Sequence, residues 1–133
     1  MSTGSTQAAL SSLGDAPYVS LATWRKNGKE VRTPVWVARA GDRLYVFTEG
    51  TAGKVKRLRN SSKSAVASCD MRGGSTGEFV AARTVIVDDP ALVERAYDAF
   101  RRKYGWQIRL TDLMSKLTGR YDKRAMLEIE LVA

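Results

Sequence analysis

The chain contains no histidine and one cysteine, and both scarcities exclude chemistry. Without imidazole there is no Ser-His or Cys-His nucleophile, no histidine general base and no ordinary zinc or non-haem iron site. Acyl transfer and metal-dependent hydrolysis are therefore poor readings, and no metal is expected. Cys69 alone cannot close an internal disulfide, and its place in an alternating apolar run marks it as a small buried side chain. No apolar run approaches the ~18 residues that a membrane span requires, and the polar N-terminus lacks the apolar core of a signal peptide. We expect a cytoplasmic protein with no membrane span. Neither an internal repeat nor a linker interrupts the chain.

What is present is ordinary globular composition with a strong charge bias. The 133 residues are 44% hydrophobic and 27% charged, which fits a single domain over 1–133, with residues 1–16 as a tail or short helix. The net charge of +8 calls for an anionic partner: nucleic acid, a phosphorylated cofactor or an acidic membrane surface.

Alternating apolar residues predict six strands, over 18–25, 30–39, 43–48, 64–70, 79–87 and 125–132. Asn27-Gly28 and Gly41-Asp42 supply tight turns between the first three. Pro34 interrupts the second strand, marking an edge, a bulge or backbone left free for another use. Asp89 and Pro90 start a helix that Gly105 should stop, and Thr111 should cap a shorter one ending before Gly119. The Gly-rich stretch 71–77 fits neither the P-loop nor the dinucleotide spacing and reads as a plain hairpin loop. The expected fold is β-rich α+β: a small barrel with two to four short helices.

One stretch stands apart. Thr51 to Asn60 follows the third strand, opens with a helix-capping residue, and sets Lys54, Lys56, Arg57 and Arg59 around only two large apolar residues, Val55 and Leu58. A cation in the first turn of a helix is mildly unfavourable unless an anion sits beside it, and free N–H groups at the same end are ready donors to phosphate. The stretch reads either as a phosphate or carboxylate cradle or as a solvated basic face.

The run 18–29, then Arg32-Thr33-Pro34-Val35-Trp36-Val37, Leu44-Tyr45-Val46-Phe47-Thr48, Gly53-Lys54-Val55-Lys56-Arg57-Leu58-Arg59 and Cys69-Asp70 resembles the flavin and deazaflavin split-barrel superfamily. That superfamily includes the pyridoxamine 5'-phosphate oxidases, and the resemblance is strongest to its F420-dependent oxidoreductases. It implies a six-stranded split β-barrel of the FMN-binding type, in a homodimer with the cofactor site at the subunit interface. Carried onto this chain, it implies that Lys54, Lys56 and Arg57 hold the cofactor phosphate. Thr33, Pro34, Val35 and Trp36 would border the tricyclic ring, with Thr48 and Thr51 between the two groups. The implied cofactor is coenzyme F420, with FMN as the alternative.

This resemblance agrees with the missing histidine, because a redox cofactor carries the difficult chemistry and the protein positions it. The leading reading is an F420H2-dependent reductase passing a hydride to an unsaturated or electron-poor small molecule, with Tyr45 or Tyr97 as candidate proton donors and no catalytic residue singled out. Alternatives are an FMN-dependent oxidoreductase on the same fold, a non-catalytic cofactor carrier, and a barrel that binds single-stranded nucleic acid with Trp24 and Trp36 as stacking residues. Nucleic acid is not the expected partner.

Overall fold

The structure, a computed structural model, describes residues 3–49, 53–74, 76–117 and 124–132. Among these the chain runs α1 (Thr3–Asp15), β1 (Tyr18–Trp24), β2 (Glu30–Val35), β3 (Ala38–Ala40), β4 (Arg43–Glu49), α2 (Gly53–Asn60), β5 (Lys63–Cys69), β6 (Val80–Val87), α3 (Pro90–Tyr104), α4 (Trp106–Leu117) and β7 (Arg124–Leu131). The expected six strands are thus seven among the described residues, because the run 30–39 is two strands and not one.

The break explains the architecture. All strands pair antiparallel in the order β2-β1-β5-β6-β7-β4-β3, so the two halves of the broken run occupy opposite edges of one sheet. Laid flat, a seven-stranded sheet separates its edge strands by about 29 Å. The chain from Val35 to Ala38 can reach at most about 11 Å. The sheet must therefore curl until its edges meet, which produces a barrel closed by the covalent chain and is consistent with a split barrel.

A strand that leaves one edge for the other strands its backbone polar groups at the corner, and buried ones need new partners. Val37, fully buried, donates its N–H to the Tyr104 hydroxyl at 3.1 Å. Its carbonyl accepts from Lys103 Nζ at 2.6 Å and lies 3.0 Å from the Tyr104 hydroxyl, whose proton can go there or to the Pro17 carbonyl at 2.9 Å. Lys103 Nζ also donates to the Ala16 carbonyl at 2.6 Å. The last turn of α3 thus substitutes for the missing ladder.

Local chemistry accounts for the remaining elements. The β1–β2 hairpin is closed by the Arg25 N–H on the Lys29 carbonyl, with Gly28 at φ 87°, a three-residue loop whose last residue takes the left-handed conformation. Asp89 caps α3 by accepting from the Ala91 N–H, Pro90 occupies the first turn, and Gly105 (φ 58°) ends it, as expected. The second helix of this pair starts at Trp106 and not at Thr111. Gly105 lets the chain re-enter helix at once, and Thr111 donates to the Gln107 carbonyl instead of capping. The proposed stop at Gly119 lies outside the described residues.

Two apolar clusters divide the faces of the sheet. Leu44 and Val46 of β4 and Leu127, Ile129 and Leu131 of β7 point into the barrel with Val19, Leu21 and Val66, joined by Leu10 and Leu13 of α1. The alternate residues Tyr45 and Met126 face outward onto Ala96, Tyr97 and Phe100 of α3 and Ile108 of α4, with Trp36, Phe47 and Tyr104 packed against them. No helix among the described residues is long and apolar enough to cross a membrane.

Two consequences can be measured. Replacing Tyr104 with Phe leaves the buried Val37 N–H without an acceptor and should cost about 1–3 kcal/mol in denaturant unfolding. Burial pushes the Lys103 ammonium down to about 8, with Asp15 pulling the other way, whereas burial foremost raises Tyr45 and Tyr104 to about 12. The unfolded chain therefore holds a proton on Lys103 that the native chain releases above about pH 8, so this residue's contribution to stability rises with pH from there. The two tyrosines act oppositely above pH 10.0, where the unfolded chain loses protons that the native chain keeps. The stability difference between wild type and Lys103→Met should accordingly move in favour of wild type between about pH 8 and pH 10.

Candidate functional site

Val55 and Leu58 are the buried residues of α2 and dock it against β1 and β6. Because they are three residues apart, they fix the rotation of the helix and sort its cations into two flanks. Lys54 and Arg57 lie on one flank and turn toward the barrel; Lys56 and Arg59 lie on the other and are exposed. The structure therefore brings together two of the four basic residues.

Arg57 is held tightly. Its Nε donates to Thr23 Oγ1 on β1 at 2.6 Å, and Thr23 is buried. Burial, then the charge of Arg25, lowers its pKa. Among the described residues no carboxylate pairs with Arg57 or Arg25. Lys54 reaches back to β4, donating from Nζ to Thr48 Oγ1 at 3.3 Å. Thr33 sits opposite Leu21 in the β1–β2 register and so shares a face with Thr23, diagonally across the pair. Thr23 and Arg57 form one polar pair, with Thr33 on the same face of the sheet, and Thr48 and Lys54 form another beside the same helix. Thr51 lies outside the described residues.

Pro34 and Trp36 are placed differently. Pro34 pairs with Ser20 and faces away from Thr33. The 71–77 stretch is a hairpin loop between β5 and β6, folded on Asp70, whose Oδ1 accepts from the Arg72 and Gly74 N–H groups at 2.9 and 2.8 Å. The loop crosses β1 to lie over Pro34; a Cβ on Gly73 (φ 85°) would stand 3.5 Å from the proline ring. Trp36 joins the outward aromatic cluster, stacked on Tyr104 at 4.7 Å and edge-on to Phe47 at 6.4 Å. With Val35, Phe47 and Thr111 it lines an open groove of about 260 Å³.

That groove is braced from α4 and β7. Arg124 pairs with Asp112 at 2.7 Å, the two side chains only 7% and 13% exposed, and its guanidinium lies 4.5 Å from the centre of the Phe47 ring. Sequence patterning missed Thr23, Phe47, Thr111 and Arg124. Alternation sets Phe47 on the face opposite Leu44 and Val46 but does not say what that face would meet, and Arg124 precedes the expected strand with no motif to mark it. Neither candidate proton donor opens onto this groove. Tyr45 is buried and donates to Glu128 Oε2 at 2.8 Å, while Tyr97 lines a separate cavity of about 490 Å³ with Arg59, Asp88, Glu94 and Met126.

A model of the pyridoxamine 5'-phosphate oxidase family matches residues 5–132. The chain belongs to that family. Solved structures agree on the fold of this pyridoxamine 5'-phosphate oxidase family member. A conserved hypothetical protein of Mycobacterium tuberculosis, Rv2991, is 19% identical with a TM-score of 0.70, covering 100% of this chain and 82% of its own. A putative pyridoxamine 5'-phosphate oxidase from Listeria innocua is 11% identical with a TM-score of 0.63, over 96% of this chain and 94% of its own. HutZ, a heme storage protein from Vibrio cholerae, is 9% identical with a TM-score of 0.68, over 98% and 90%. No curated protein matches the sequence.

The Arg124–Asp112 pair makes this brace testable. Asp112→Ala removes the carboxylate paired with a nearly buried guanidinium and should destabilise the fold by about 3 kcal/mol in denaturant unfolding.

Proposed function

We propose that this chain is a split-barrel oxidoreductase that binds F420, with FMN as the alternative cofactor, and acts on an unsaturated or electron-poor small molecule. The observation that carries the reading is the flank of α2. Lys54 and Arg57 stand together beside the barrel, and no carboxylate among the described residues neutralises Arg57. A phosphate supplies the missing charge, with Arg57 as a planar fork and Lys54 as a point charge. The residues also suit a flat ring, because Val35, Trp36 and Phe47 give the groove apolar and aromatic walls. Thr33, Pro34 and Thr48 belong to the strands between these two regions, and Thr51 belongs to the segment joining β4 to α2. Lys56, on the exposed flank, is assigned to the anionic tail that F420 carries beyond its phosphate.

When bound, the cofactor supplies hydride transfer. The protein's share is to hold the phosphate end, wall the ring from water and leave one side open to substrate. Tyr45 stays protonated with its hydroxyl donating to Glu128, and neither it nor Tyr97 opens onto the groove, so the final proton is assigned to solvent. A homodimer completes the reading. Thr111 of the groove lies on α4, whose Trp106, Leu110, Leu113 and Met114 recur on one helical face and are 51–71% exposed. A second copy of the chain on that face would cover it and add a further wall beside the groove.

The other readings find less support. The likeness to a heme storage protein is one of fold, and a chain without histidine lacks the commonest axial ligand to haem iron. Stacking of nucleic-acid bases is disfavoured because Trp36 already stacks on Tyr104 and Lys63 lies over the Trp24 ring at 4.4 Å.

The test is a parallel fluorescence titration with F420 and FMN. Binding of F420 in preference to FMN is expected, weakening as salt rises. Binding of FMN alone would transfer the assignment, and binding of neither would overturn it. Arg57→Ala and Lys54→Ala should each weaken binding by about 1.5–3 kcal/mol, and Lys56→Ala by less.

A further inference from the structure

Arg57 differs from the exposed Lys56 and Arg59 of α2 in being oriented within the free protein. Its Nε–H is spent on Thr23 Oγ1 at 2.6 Å, and Thr23 belongs to a strand buried along five consecutive residues. A guanidinium is a rigid plane, so fixing Nε sets the direction of the Nη1–Nη2 edge. The other constraint is Gly53, the first residue of the helix. A Cβ built there would stand 2.9 Å from Arg57 Nη1, so the guanidinium fills the space that a side chain at 53 would take. Gly53 does not have a left-handed φ, and nothing in its backbone demands glycine. What it supplies is room.

We propose that Thr23 and Gly53 are positioning residues that hold the Arg57 guanidinium across the first turn of α2, where its free edge and the N–H groups of that turn serve one phosphate. This rests on the reading of α2 as the phosphate end of the cofactor site. An arginine ordered before binding spares the ordering cost that a free surface arginine would charge against affinity. Thr23 meets the cofactor only through Arg57. Lysine in place of Arg57 would keep the charge and lose both the Thr23 bond and the fork.

The experiment compares the full-length wild type with Thr23→Val, Thr23→Ser, Gly53→Ala and Arg57→Ala. F420 and FMN affinities are measured at several salt concentrations, with thermal unfolding alongside. Thr23→Val should bind the preferred cofactor about ten-fold more weakly, with a shallower salt dependence, and Thr23→Ser should recover wild-type behaviour. Gly53→Ala should also weaken binding while unfolding no earlier than wild type, since alanine is the better helix former. Wild-type affinity in Thr23→Val and Gly53→Ala, with Arg57→Ala impaired, would overturn the positioning role and leave the phosphate site standing. Weaker binding with an unchanged salt slope in Thr23→Val would equally overturn it, since that marks general loosening. If wild type binds neither cofactor, the phosphate-end reading fails first.

Discussion

Among the described residues Val37 has no strand partner, and the structure is arranged around that fact. Between Val35, which pairs with Val19, and Ala38, which pairs with Tyr45, the chain crosses from one edge of the sheet to the other. The buried amide left behind is satisfied by Tyr104 and Lys103, both from the last turn of α3. Those bonds seat the last turn of α3 against the bend, with Phe100 and Tyr104 packed against Phe47 and Trp36. The aromatic groove is thus a by-product of closing the barrel.

The two halves of the candidate site follow from different physics. The groove is a matter of packing: rings at 4.7–6.4 Å and a buried ion pair hold its walls. The cationic flank is a matter of charge, with no carboxylate among the described residues paired to Arg57, and it is kept together because Val55 and Leu58 set the rotation of α2. β4 joins them. Phe47 faces outward to the groove, and the next residue, Thr48, receives Lys54. Adjacent residues of a strand point to opposite faces, so one strand end serves both regions.

Much of this could be read from the residues. The Asp89-Pro90 start and Gly105 stop of α3 carry their own local chemistry, and alternating apolar residues located every strand outside 30–39 to within a residue or two. The split of 30–39 was less visible. Pro34 signalled an irregularity, but the change of edge occurs at Trp36 and Val37, where nothing local marks it and the partners are nearly seventy residues away. Thr111 misled for a similar reason: a residue that can cap a helix can equally bond back to the carbonyl four residues earlier. In α2 the sequence could count four cations but not say which flank each would join. Only the docking of the helix decides that, and Thr23 became visible as a partner only then.

A sheet joined at its edges by a bend retains, among the described residues, two unpaired strand edges, each a template on which another chain can add a strand. Both are blunted. β3 is only three residues long. β2 carries Pro34 next to the end of its pairing run, an ion pair between Glu30 and Arg32, and the Asp70 loop folded over the proline. The irregularities that first drew notice to Pro34 therefore also guard against runaway β-assembly. Straightening this edge by replacing Pro34 with a β-branched residue trades that safeguard for a longer ladder.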